Sequence, residues 1–203
     1  MGSFDVAHPN ILFDKETHTY TRNGIEYPSV TTILADAGII QKDKYPEYAA
    51  FMGTDVHKLL QLADEDDLDF GSLTPEQWQH YEAWVKICGY LGLTHPKHEM
   101  YVFHDVYKYA GTLDVIDGDT LVEIKSGRKE RWHRLQVVAY KMAYETVYGK
   151  LKKVAIAYTK LGTADVLEDD TSHLEDVFLS VLNVARWKNE SRRRKSRDTE
   201  HDE

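Results

Sequence analysis

The residues whose types and spacing can do chemistry lie in one stretch, GTLDVIDGDTLVEIKSG, from Gly111 to Gly127. They are Asp114, Glu123 and Lys125. The stretch alternates apolar and polar residues, which is the period of a half-buried hairpin. Gly118-Asp119 supplies a two-residue turn, with glycine where positive φ is needed. Counting away from that turn pairs Asp117 with Thr120, Ile116 with Leu121, Val115 with Val122 and Asp114 with Glu123. Leu113, Val115, Val122 and Ile124 then form an apolar face, and a register shift of one residue would destroy it. Asp114, Glu123 and Lys125 share the other face, with Ile116 and Leu121 nearer the turn. Two carboxylates about 5 Å apart on neighbouring strands repel. A proton between them relieves this, and a hard divalent cation does so better. Mg²⁺ takes one or two carboxylates together with water and substrate phosphate oxygens. An adjacent lysine can contact a scissile phosphate or orient the attacking water. Acids, a metal and a lysine are what phosphodiester hydrolysis requires. The same residues would also make an ordinary solvated charge ladder on an open sheet face, and the hairpin alone does not separate the two.

The elements that must position these groups are legible on either side. Arg22-Asn23-Gly24 is flanked by Thr19–Thr21 and Ile25–Tyr27, and its Asn-Gly between β-formers is a strong hairpin signal. Ser29 can cap a short helix over 30–37, closed by Gly38. A helix is expected over 47–64. Phe51, Leu59 and Leu62 supply part of its apolar face, and Gly53 lies one turn before His57. Thr74-Pro75-Glu76-Gln77 is a capping box with proline at the first helical position. The helix it starts carries Trp78, Tyr81, Trp84, Val85, Cys88 and Leu91 as a core stripe. Strands are expected over 97–106, 110–117 and 120–126, then a helix over 130–148 ended by Gly149. A strand over 154–158, a short strand near 164–167 and a last helix over 172–188 complete the order. That order predicts an α/β fold, a central mixed sheet flanked by helices. Residues 1–188 read as a single domain and 189–203 as a disordered charged tail.

Gly111-Thr112-Leu113-Asp114, Glu123-Ile124-Lys125-Ser126-Gly127 and Gln136-Val137-Val138-Ala139-Tyr140 occur in that order, the last beginning eleven residues after Lys125. In this the sequence resembles the PD-(D/E)XK nuclease superfamily, in its RecB-like and Cas4-like, phage-type exonuclease branch. Met52–His57 is similar to the branch's helix bearing a metal-binding histidine. Phe13–Tyr20 and Pro28–Leu34 are similar to segments of phage-type exonucleases. The resemblance covers about residues 13–160. It implies a restriction-endonuclease-like core with Asp114, Glu123 and Lys125 catalytic. It further implies that His57, Asp114, Glu123 and the Ile124 carbonyl hold Mg²⁺ or Mn²⁺, with Glu99 as a further acid. Gln136 and Tyr140 share one helix face and would touch the DNA backbone or brace Lys125. No iron–sulfur cluster is expected, since Cys88 is the single cysteine.

Net charge is −9 at pH 7, which argues against general attraction to polyanions. DNA contact must then be local or mediated by metal ions. Arg128, Lys129, Arg131 and Trp132 lie between the Glu-Ile-Lys strand and the next helix and form a basic patch with an aromatic. Trp132 could stack on a base, and Ser29 and Thr31 could hold a phosphate at a helix start. The expected function is a metal-dependent DNA exonuclease in recombination or end processing. The alternatives are an endonucleolytic or structure-specific enzyme of the same fold, or a non-catalytic DNA-binding module. Expected partners are DNA ends, duplex or single-stranded, a single-strand annealing protein and further copies of the chain. No membrane-length apolar run is present, and the lone cysteine suits the cytoplasm, or a host's if the chain is viral.

Overall fold

The structure, a computed structural model, describes residues 11–14, 19–41 and 47–200. Strands β1 (Ile11–Asp14), β2 (Thr19–Arg22) and β3 (Ile25–Pro28) form a small antiparallel sheet. Asn23 and Gly24, at φ 52° and 75°, make the tight turn between β2 and β3. β1 was not expected from the sequence, and the segment joining it to β2 lies outside the described residues. Ser29 caps α1 (Val30–Ala37), accepting from the Thr32 amide at 3.0 Å, and Gly38 ends it in the left-handed region at φ 90°.

The main sheet has five strands in sequence order: β4 (Lys97–His104), β5 (Tyr109–Asp117), β6 (Thr120–Lys125), β7 (Lys153–Tyr158) and β8 (Thr163–Val166). All neighbours are antiparallel except β6 and β7, which the crossover helix α4 (Trp132–Tyr148) makes parallel. One face is covered by α1, α4 and α5 (Ser172–Glu200). Its core holds Val30, Leu34, Val138, Ile156 and Phe178. The other face is covered by α2 (Glu47–Asp64) and α3 (Pro75–Leu91), which bury Val56, Leu60, Trp84 and Ile87 against Val115, Val122 and Ile124. The small sheet covers what α2 and α3 leave open. There Tyr20 and Tyr27 meet Phe103 edge-on, with ring centres 6.0 and 5.2 Å apart. The expected α/β fold with a mixed sheet flanked by helices is what the chain adopts.

Three expectations need correction. Leu113 does not join the Val115 face but packs with Ile116 and Leu121 on the α4 side. The strict alternation counted from the turn therefore slips by one residue between Leu113 and Val115. On α3, Trp78 and Val85 stand at the surface, at 37% and 52% exposure, while Ile87 takes the buried place. A seventeen-residue helix packed on one side has room for fewer large side chains in its core stripe than the periodicity offered. Finally, the last helix does not stop at residue 188 but runs to Glu200. Arg, Lys and Glu are good helix formers even where no core requires them. Lys188 donates to the Ala37 carbonyl and Asn189 to Asp36, each at 2.9 Å, which carries the helix past its apolar stretch. Residues 201–203 lie outside the described residues. No described helix is long and apolar enough to cross a membrane.

Candidate active site

The β5–β6 ladder pairs Asp117 with Thr120, Ile116 with Leu121 and Val115 with Val122, as the turn dictates, and then stops. Beyond it the Ile124 amide donates to Asp114 Oδ2 at 2.6 Å, not to a β5 carbonyl. A side chain has replaced a rung, and the strands part there. On the other side of β5, His98 pairs with Val115 and Met100 with Leu113, while Glu99 between them sits at φ 58°. A glutamate in the left-handed region costs of order 1 kcal/mol and persists only where its surroundings impose it. These two irregularities lie at the same level of the sheet. His57, delivered by α2, meets them. Ligand atoms of His57, Glu99 and Asp114 all lie within 4.8 Å of one another.

The histidine's protonation follows from its partners. Its Nε2 is 3.1 Å from the Ile124 carbonyl, which can only accept, so Nε2 carries the hydrogen. Burial, and then the Lys125 ammonium, lower the imidazole's pKa and hold it neutral. Nδ1 is left with a lone pair, 3.4 Å from Asp114 Oδ1. That is the tautomer a metal ligand needs.

Glu123 is 1% exposed. Its Oε1 accepts from Lys125 Nζ at 2.8 Å, but its Oε2 is buried without a partner among the described residues. Burial pushes the Glu123 carboxyl up to about 7, and the Asp114 charge adds to the rise. Burial likewise pushes Asp114 up to about 7, against the pull of Lys125 and the Ile124 amide. An orphaned carboxylate oxygen beside a second raised carboxyl is costly unless a proton or cation compensates it. Two or three carboxylates, an imidazole lone pair and a nearby carbonyl fit a hard divalent cation. The carboxylates suit Mg²⁺ or Mn²⁺, and the imidazole favours a transition metal such as Mn²⁺ over Mg²⁺.

The expected residues around this centre fall in several places. Gln136 and Tyr140 share a helix face but are buried behind the acids, with Gln136 Nε2 donating to Tyr140 Oη at 3.0 Å. The Tyr140 ring fills the space beside Gly111. A Cβ on that glycine would lie 2.3 Å from the ring. Gln136 Oε1, like Glu123 Oε2, has no partner among the described residues. Trp132 lies against the Lys125 ammonium, 5.4 Å from ring centre to Nζ, and caps it. Arg128 pairs with Glu130 and Lys129 with Asp165, each at 2.5 Å, so much of the basic patch is neutralised. Arg131 is exposed at the start of α4. The Ser29 hydroxyl is buried and committed to capping α1. Its oxygen lies 3.1 Å from the Thr31 hydroxyl. Gly53's surroundings lie outside the described side chains.

Several residues here carried no role in the sequence reading. Tyr20 Oη is 2.7 Å from Thr112 Oγ1, two residues before Asp114, and its phenol feels the charges of Glu99 and Glu123. The Lys125 carbonyl accepts from the Thr159 amide at 3.0 Å, and Thr159 Oγ1 is 2.7 Å from His80 Nδ1. No pattern in the sequence marks these pairs, because each joins segments far apart along the chain.

No protein-family model matches the chain, and no curated protein matches it by sequence. Among solved structures it is similar to a chain from Eubacterium rectale described as a "putative exonuclease". The TM-score is 0.51 at 10% identity, over 80% of this chain and 81% of that one. The likeness is one of fold.

Proposed function

We propose that the chain is a divalent-cation-dependent deoxyribonuclease acting at DNA ends. The observation that carries this is the convergence of His57, Glu99 and Asp114 beside a buried glutamate oxygen without a donor among the described residues, with Lys125 next to it. The fold shared with the Eubacterium rectale chain, and the description that chain bears, support it. His57, Asp114, Glu123 and Glu99, with the Ile124 carbonyl at hand, would hold Mg²⁺ or Mn²⁺. Such an ion supplies Lewis-acid stabilisation of phosphate charge and an acidic bound water.

The chain's own residues do the rest. Lys125 is pinned from two sides, by Glu123 Oε1 and by the Trp132 ring. Its ammonium therefore points at one place, where it orients the attacking water and shares charge on the phosphate oxygens. The low polarity around Glu123 and Asp114 strengthens each of these interactions. Gln136 and Tyr140 brace the buried side of the acids. Arg131 is the exposed cation closest in sequence to Lys125 that forms no ion pair in the described structure, and it is offered to the DNA backbone. A role in recombination or end processing, beside a single-strand annealing partner, rests on the family resemblance.

End-labelled linear duplex and single-stranded DNA, each with and without Mg²⁺, test this reading. Shortening from one end that requires the cation is expected, with covalently closed circles left intact. Cutting of circles would make it an endonuclease. Failure to cut any of these, together with failure to bind Mn²⁺, would leave only a DNA-binding module.

A further inference from the structure

Beside the acid cluster lies an aromatic group that the proposed chemistry does not use. Phe13 of β1 stacks on Tyr20 of β2, with centres 4.6 Å apart and planes at 28°. Tyr101 of β4 meets Tyr20 edge-on at 5.9 Å and Phe13 at 6.4 Å. Tyr20 is buried and tied to Thr112, so the backing of the group is fixed. Tyr101 is 38% exposed and presents its ring to solvent. It follows Glu99 by two residues on the same strand, a spacing of roughly 6–7 Å along β4. That is within the reach of one nucleotide whose phosphate sits among the acids.

Charge limits what can bind there. The protein carries −9, Arg128 and Lys129 are paired with acids, and the site itself is built of carboxylates. A duplex held by its phosphates needs many unpaired cations along a groove. A single strand can instead draw its affinity from bases stacked on aromatic rings. We propose that Tyr101, backed by Phe13 and Tyr20, is a stacking platform for an unpaired base next to the scissile phosphate, so that the site takes a single strand or a frayed end. This rests on the nuclease reading and names its substrate.

The test uses the full chain with oligo(dT) and a duplex of equal length. Binding is followed by fluorescence anisotropy in a Lys125→Ala background, which keeps the DNA uncut, and cutting is measured in the otherwise unaltered protein. Tyr101→Ala should weaken single-strand binding about tenfold, within the range for one lost stack. It should leave duplex binding within about twofold, and Tyr101→Phe, which keeps the ring, should restore the single-strand affinity. Single-strand affinity unchanged by Tyr101→Ala, or single strand and duplex weakened equally, would overturn the platform. The nuclease reading stands or falls separately. If the wild type cuts no DNA but single-strand binding still needs the ring, the platform holds as a binding site.

Discussion

Two carboxylate–imidazole pairs each take one member from α2, and only one of the pairs is satisfied. Asp64, at the end of α2, accepts from Trp84 Nε1 on both oxygens, at 3.1 and 2.9 Å, and lies 2.7 Å from His98 Nε2. Asp114 accepts one backbone N–H, lies 3.4 Å from His57, and neighbours a glutamate oxygen that has no donor among the described residues. His57 and Asp64 are seven residues apart, two helical turns, and so share a face of α2. On β4, His98, the partner of Asp64, is adjacent to Glu99, which joins His57 and Asp114. The two pairs are thus ends of one bracket. The saturated end fixes α2 against β4 and α3. The unsaturated end brings His57 to the acids with lone pairs left over. Where only structure is at stake, buried polar groups are satisfied. Buried polar groups left unsatisfied beside charged neighbours are candidates for holding a ligand.

The largest effect that sharpens this contrast is catalytic. Lys125→Ala removes the only side-chain donor to Glu123 among the described residues and, on the nuclease proposal, the group that orients water. Cleavage of linear DNA should fall on the order of a thousandfold, as for loss of a positioned proton-handling group. DNA binding should stay within a few-fold. Cutting at the wild-type rate would remove Lys125 from the chemistry.

Next comes stability, where the two pairs should respond with opposite signs. Asp64→Ala strands the Trp84 indole N–H and the His98 Nε2–H in a largely buried place. It should lower the unfolding free energy by about 3 kcal/mol, the cost of leaving two such donors unpaired. Asp114→Asn keeps the shape but removes one of two crowded charges. In metal-free protein it should leave stability unchanged or raise it, since like charges no longer face each other. Urea denaturation of both variants in chelator decides this. Equal losses would mean that the two carboxylates are alike and that the unsatisfied one has no special task.

How much of this was legible follows from range. The register near Gly118, the Ser29 and Thr74 caps and the Asn23-Gly24 turn depend on residues a few positions apart, and the chain realises each of them. Local chemistry suffices there. The slip at Asp114 depends on a backbone amide ten residues away and on Glu99 across β4, so strict alternation placed Leu113 on the wrong face. His57, Glu99 and Asp114 were all named from the sequence, but their meeting is a product of tertiary packing. The Asp64–His98–Trp84 bond set left no trace, because an aspartate, a histidine and a tryptophan on three separate elements make no motif. The basic loop read as free charge because pairing with Asp165, thirty-six residues on, is invisible locally.

The smallest effect is on pH, and its sign follows from burial. In the folded, metal-free protein Asp114 and Glu123 titrate at about 7, whereas exposed carboxyls titrate at about 4. Between those values the folded state binds more protons than the unfolded one, so metal-free stability is fullest at low pH and falls as pH rises through about 7. A cation must displace the same protons. Below about pH 7 its affinity should therefore fall about tenfold per pH unit for each proton displaced, and above that level off. Mn²⁺ titrations at about pH 6, 7 and 8 measure this, and the metal-induced rise in Tm should be larger at the alkaline end. A binding constant flat across that range would mean that the acids are already ionised without metal. The Asp114 end of the bracket would then be as settled as the Asp64 end, and the reason for a cation there would be gone.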